Sequence, residues 1–151
     1  MRIRFFVLLL VMLGGSFLHS LSQTVRPKTY ALIIGISTYE NKDLRALNYA
    51  DKDAKLFAAY LQSKAGGTVP DSQVIVLLNE KATIAAVYNA LDRIKEQAAE
   101  NDIVYIYFSG HGDVESKTAF GLGFLLAYNT PPNNYINHAV RIEDLNDVAN
   151  T

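Results

Sequence analysis

Three unbroken apolar runs lie between residues 30 and 108. The first, Tyr30-Ala31-Leu32-Ile33-Ile34-Gly35-Ile36, is rich in β-branched residues. A run of this kind, without polar alternation, reads as a strand covered on both faces. Val74-Ile75-Val76-Leu77-Leu78 and Ile103-Val104-Tyr105-Ile106-Tyr107-Phe108 have the same character. Between the runs, apolar positions recur at helical spacing. Leu47, Ala50, Ala54, Phe57, Ala58 and Leu61 form one stripe; Ile84, Val87, Leu91, Ile94 and Ala98 form another. Asn48 is placed to cap the first helix, with Asp51 in its first turn, and Thr83 is placed to cap the second. Ala65-Gly66-Gly67 ends the first helix, and Asn101 and Asp102 close the second.

The pattern loosens after Phe108. Ser109-Gly110-His111-Gly112 follows the third run directly, and Asp113 to Thr118 reads as a polar loop. A fourth strand is expected within Phe120 to Tyr128. Asn129 to Asn134, with Pro131 and Pro132, is a further loop, and Ile142 to Val148 begins a third helix. The order β-α-β-α-β-β-α, with throughout-apolar strands, predicts an α/β fold: a mainly parallel sheet between helices on both faces. Sites in such sheets lie beyond the carboxyl ends of the strands. That rule selects the loops after Ile36, Leu78 and Phe108.

The first 23 residues differ from the rest. Arg2 and Arg4 precede an apolar run from Phe5 to Leu13, and Ser20-Leu21-Ser22 supplies small residues for cleavage. Residues 1–22 therefore read as a signal peptide and 23–29 as a short lead-in. The expected location is outside the cytoplasm, periplasmic or extracellular, with no membrane attachment after cleavage.

Composition narrows the chemistry. The 151 residues include 14 basic and 15 acidic ones, for a net charge of −1, which gives no reason to expect a nucleic-acid partner. Half are apolar and 19% charged, too apolar for a disordered chain. There is no cysteine, which removes disulfides, thiolate zinc sites and any cysteine nucleophile within these residues.

His111 is the strongest local candidate. Flanking glycines let the backbone turn off the strand, and an imidazole at the sheet's carboxyl edge suits a base of near-neutral pKa. The Gly112 N–H could stabilise an oxyanion there, and Ser109, beside the base, is a candidate substrate-binding residue. His19 falls in the leader, and His138 sits in a late polar loop and reads as a surface residue. No spacing between histidines suggests zinc. Asp51 and Asp53 open the first helix, where carboxylates complement the dipole. Asp113 and Glu115 read as a solvated loop. No phosphate-binding fingerprint follows Gly35.

Ala31-Leu32-Ile33-Ile34-Gly35-Ile36, Leu47-Asn48-Tyr49-Ala50-Asp51-Lys52-Asp53-Ala54 and the stretch from Asp102 to Gly112 together resemble the caspase-like cysteine peptidases, in particular their bacterial, metacaspase-like members. The resemblance covers about Tyr30 to the end of the chain. It implies a three-layer caspase-like fold over 30–151 and peptide-bond cleavage by a Cys-His dyad. By that resemblance His111 matches the catalytic histidine, Gly112 the oxyanion N–H donor, and Asp53 an acid that receives Arg or Lys at P1. Leu47 stands where Asp-specific caspases carry an arginine, so a basic P1 is the expectation. Ala50 replaces a cysteine common in metacaspases, and the proline and acid that usually end the strand near Phe124 are absent. The family nucleophile follows one more strand, beyond the helix beginning near Ile142. The resemblance thus implies an amino-terminal part of the catalytic domain, incomplete at the C-terminus and lacking its cysteine. No cofactor is expected, although family analogy leaves room for calcium, and the expected partner is a peptide or protein substrate. The alternative is a caspase-like binding or scaffolding domain without catalysis.

Overall fold

In the computed structural model, which describes residues 26–114, 121–132 and 134–148, the first apolar run becomes the central strand. Strand β1 (Thr29–Gly35) is buried along nearly its whole length. It pairs in parallel with β2 (Val74–Leu78) on one side and β3 (Ile103–Ser109) on the other, in the order β2-β1-β3. Helix α1 (Ala50–Gln62) covers one face of β1. Ala31 and Ile33 pack there with Ala54, Ala58 and Leu61. Helix α2 (Ile84–Gln97) covers the other, where Leu32 and Ile34 meet Val87, Leu91 and Ile94. Alternate residues of one strand thus feed two cores, which is why β1 carries no polar side chain between Ala31 and Gly35. The two helical layers and the sheet between them make the expected three-layer α/β arrangement.

Only β1 is covered as fully as its apolar composition predicts. β2 and β3 flank it and are half-buried. On β3, Ile103 is 47% and Tyr105 42% exposed. Tyr107 stacks on Phe57 with ring centroids 4.9 Å apart, and Tyr105 meets the same ring edge-on at 6.3 Å. These strand tyrosines pack, as their interior positions suggest.

Several local expectations are corrected. Asn48 does not cap α1, and Leu47 lies before the helix rather than on its stripe. The helix starts at Ala50, and the Asp51 N–H is taken instead by the Ser37 hydroxyl from the loop after β1, at 3.1 Å. Thr83 does cap α2, its Oγ1 accepting from the Ala86 N–H at 3.2 Å. The polar loop expected after His111 begins as a strand, β4 (Gly112–Val114). The fourth expected strand, β5 (Gly123–Leu125), joins it rather than the parallel sheet. With β6 (Val140–Arg141) they form a separate antiparallel sheet, β4-β5-β6. Backbone pairing, not side-chain polarity, organises Gly112 to Val114. The signal-peptide segment and Glu115 lie outside the described residues. No helix among the described residues is long and apolar enough to cross a membrane.

The small sheet is seated on the α2 side. Phe124 is fully buried in the cluster containing Leu32, Ile34 and Val87. Helix α3 (Ile142–Asn146) follows β6 at once. Asp144 of α3 accepts hydrogen bonds from the Tyr88 hydroxyl of α2 and from Arg141. The Arg141 guanidinium holds the Asp144 carboxyl below its usual range, whereas burial and then Asp144 push the Tyr88 phenol up. A carboxyl with a depressed folded pKa adds stability above its unfolded pKa, and this is lost as pH falls through the folded value. Urea midpoints of the native chain and of Asp144→Asn should therefore differ near neutrality and converge below the usual carboxylate range. A gap of constant size down to that acidity contradicts the linkage.

Candidate functional site

Three loops meet at the carboxyl edge of the parallel sheet. They follow β1, β2 and β3, as the topology predicts. The β1 and β3 ends are laced by the Ile36 N–H donating to the Ser109 carbonyl at 2.9 Å. Ser109, a predicted site residue, is half-buried at this seam.

Ser37 ties the first loop to everything around it. Its N–H donates to Asn79 Oδ1 at 2.8 Å, and the Thr38 N–H reaches the same oxygen at 3.3 Å. Its hydroxyl donates to Asp51 Oδ1 at 2.6 Å. Its carbonyl accepts from the Leu47 N–H at 2.8 Å. A buried serine with donor, acceptor and backbone groups all engaged is a structural knot rather than a nucleophile. The Ser37 hydrogen bond holds the Asp51 carboxyl below its usual range, helped by Lys55.

His111 is fixed through backbone and ring. Its N–H donates to the Tyr39 hydroxyl at 2.7 Å, and its carbonyl accepts from the Leu126 N–H at 2.9 Å. Its Nε2 lies 2.6 Å from the Arg45 carbonyl. A carbonyl only accepts, so this bond places the proton on Nε2 and leaves Nδ1 as the acceptor of the neutral ring. The Tyr39 ring stands beside the imidazole, centroids 5.2 Å apart and tilted by 40°. Tyr39 is 2% exposed, and burial pushes its phenol up, so it stays protonated. Gly110 leaves room for the tips of two neighbouring side chains. A Cβ there would sit 2.8 Å from both the Tyr39 hydroxyl and the Phe108 ring.

Gly112 is exposed and faces Leu125 across the β4-β5 pair. The Leu126-to-His111 bond makes Gly112–Leu125 a non-hydrogen-bonded pair in the ladder. The Gly112 N–H therefore points away from β5, off the outer edge of β4. Asp53 is exposed on the first turn of α1, its own N–H donating to the Tyr49 carbonyl at 2.8 Å. Ser109, His111 and Gly112 share one short segment that runs from the end of β3 into β4. Of the two helix acids, Asp51 is the one knotted to Ser37, while Asp53 stays on the surface. His138 and Asp113 are exposed. No group of three His, Asp or Glu among the described residues could hold a metal ion.

Sequence reasoning missed Tyr39, Asn79 and the Arg45 carbonyl. Tyr39 sits in a stretch that reads as polar, and a backbone carbonyl carries no residue-type signal. Asn79 had a faint one. It follows an apolar run directly and adopts φ +46°, a region asparagine enters more readily than most residues.

The caspase domain family model matches residues 28–149. The chain belongs to the caspase domain family. A probable protease from a Desulfuromonadales bacterium is 32% identical over 99 residues, covering 56% of this chain and 12% of that protein. A crystal structure of a Geobacter sulfurreducens protein superposes with a TM-score of 0.61 at 21% identity, covering 81% of this chain and 44% of that one. The second likeness concerns the fold. The chain thus spans a small part of the curated relative and under half of the solved one. Within the caspase domain, His111 occupies the loop after β3, and its ring is held by the loop after β1.

Proposed function

We propose that this caspase domain carries the histidine side of a Cys-His endopeptidase site. The observation that supports it best is the Nε2 bond from His111 to the Arg45 carbonyl, which leaves Nδ1 for a thiol. His111 takes the thiol proton as the thiolate attacks the scissile carbonyl. It then returns that proton to the leaving amine. The Gly112 N–H, turned off the β4 edge, donates to the developing oxyanion, and Ser109 lines the substrate path. The cysteine comes from a further strand, and β3, outermost in the order β2-β1-β3, offers the edge to which such a strand adds. The chemistry needs no cofactor, since a base, a thiol and a backbone donor complete it. The substrate is a peptide or protein. The leader-like residues 1–22 favour an exported enzyme.

The P1 preference follows from charge. Asp53 offers an exposed carboxylate on the first turn of α1, and Leu47 brings no charge of its own to an acidic P1. Arg or Lys at P1 is the reading, as in metacaspase-like members. The test is a panel of peptides with P1 Arg, Lys or Asp, presented to the protein that carries the whole domain, with and without a thiol-alkylating reagent. Cleavage after Arg or Lys that alkylation abolishes is the expected result. Asp53→Ala should then lower kcat/KM for P1 Arg by about tenfold to a hundredfold, the worth of a hydrogen bond to a charged group. Cleavage only after Asp overturns the pocket. Insensitivity to alkylation overturns the thiol. Peptide bound but left uncut supports a binding domain instead.

A further inference from the structure

We propose that Asn79, at the end of β2, is a positioning residue that sets the His111 ring through the loop after β1. The proposal rests on His111 being the base. The path is a chain of short contacts. Asn79 Oδ1 gathers two successive backbone donors, the Ser37 N–H at 2.8 Å and the Thr38 N–H at 3.3 Å. Two neighbouring N–H groups aimed at one acceptor fix a sharp turn in the backbone. That turn presents the Ser37 carbonyl to the Leu47 N–H at 2.8 Å. Two residues earlier in the same segment, the Arg45 carbonyl meets His111 Nε2 at 2.6 Å. The acceptor that orders the imidazole is thus a loop carbonyl in a segment tied, through the Ser37 turn, to a side chain that follows a different strand.

Asparagine suits this position for two separable reasons. Its carbonyl oxygen supplies the acceptor, and its φ of +46° lies in the left-handed region. Glycine keeps the second property and loses the first. Aspartate keeps the acceptor and enters the same region. A residue serving only to end β2 has no need of the oxygen.

The test is nuclear magnetic resonance on the 15N-labelled chain, following exchange of the His111 Nε2 proton. Asn79→Gly should speed that exchange by about tenfold or more, the scale of one lost hydrogen bond, together with the Ser37 and Thr38 amides. Amide protection in α2 at Val87 to Ile94 should stay native. Asn79→Asp should restore native exchange at the ring. Unchanged ring exchange in Asn79→Gly overturns the proposal. So does a parallel loss of protection in α2, which marks a merely structural role. If Asn79→Gly does not fold, the native chain decides. In rising denaturant the ring proton and the Ser37 and Thr38 amides should open as one unit, and independent opening overturns the link. None of these readouts requires a nucleophile, so failure of this link and failure of the base assignment are different results.

Discussion

His111→Gln lowers kcat/KM for peptide cleavage by about 10²–10⁴-fold in the protein that carries the completed site, the usual range for removing a positioned general base. The choice of glutamine matters. Its side-chain amide can still donate to the Arg45 carbonyl that His111 Nε2 now engages. The variant therefore removes the second ring nitrogen, Nδ1, with least disturbance to the loop. The remaining hydrogen bonds of residue 111 are backbone ones, the N–H to Tyr39 and the carbonyl to Leu126. They are indifferent to the side chain, so thermal unfolding should hardly move. KM should change little beside kcat, because the base acts on the thiol rather than on peptide binding. The measurement is steady-state cleavage of a P1 Arg peptide, with circular dichroism as the folding control. Retained activity with an intact fold takes His111 out of the mechanism. Lost activity with a collapsed fold would show instead that the ring is a structural tie.

Much of this framework is legible in residue order. β1 is recognisable because burial on both faces forbids polar residues, and Thr83 because a hydroxyl just before an apolar stripe has few other roles. The position of His111 follows from the same logic, since a glycine-framed histidine after a buried strand must stand at the sheet's carboxyl edge. What escaped detection is what sequence does not encode locally. The α1 cap is Ser37, fourteen residues before Asp51, so a search among adjacent residues settles on Asn48. β4 is a strand because β5 lies beside it, and pairing with a distant segment overrides the polar look of Gly112 to Val114. The site shows the same divide. The base is legible, but its orientation depends on a carbonyl at Arg45, a phenol at Tyr39 and an amide at Asn79, brought together from two other loops.

That dependence makes the seating of the small sheet energetically important, and Phe124→Ala is the substitution that tests it. Phe124 is the middle residue of the middle strand, paired with Asp113 on one side and Arg141 on the other. Its side chain is fully buried in the cluster shared by β1 and α2, with Tyr135 at 6.2 Å between rings. Truncation removes the transfer energy of a phenyl ring and leaves a cavity within that shared cluster. The expected loss is about 3–5 kcal/mol. Against a total of roughly 5–15 kcal/mol for an ordinary domain, that is enough to leave a large unfolded fraction under mild denaturant. The loss should also be uneven. The Leu126 N–H donates to the His111 carbonyl, so a loosened β5 frees the very backbone that carries the base. Hydrogen exchange at Leu126 and in β5 should accelerate more than at Leu32 or Ile33, which remain clamped between β2 and β3. Tyr105→Ala on the exposed flank of β3 supplies the contrast, since a ring already 42% exposed has less burial to lose. Denaturant midpoints for the two variants, read beside residue-level exchange, distinguish the outcomes. A Phe124→Ala cost below about 1 kcal/mol, less than a single buried leucine truncation, means that the small sheet is not anchored by this ring. Equal acceleration of exchange in β1 and β5 means that both sheets open as one, and that His111 is no more exposed to loosening than the core itself.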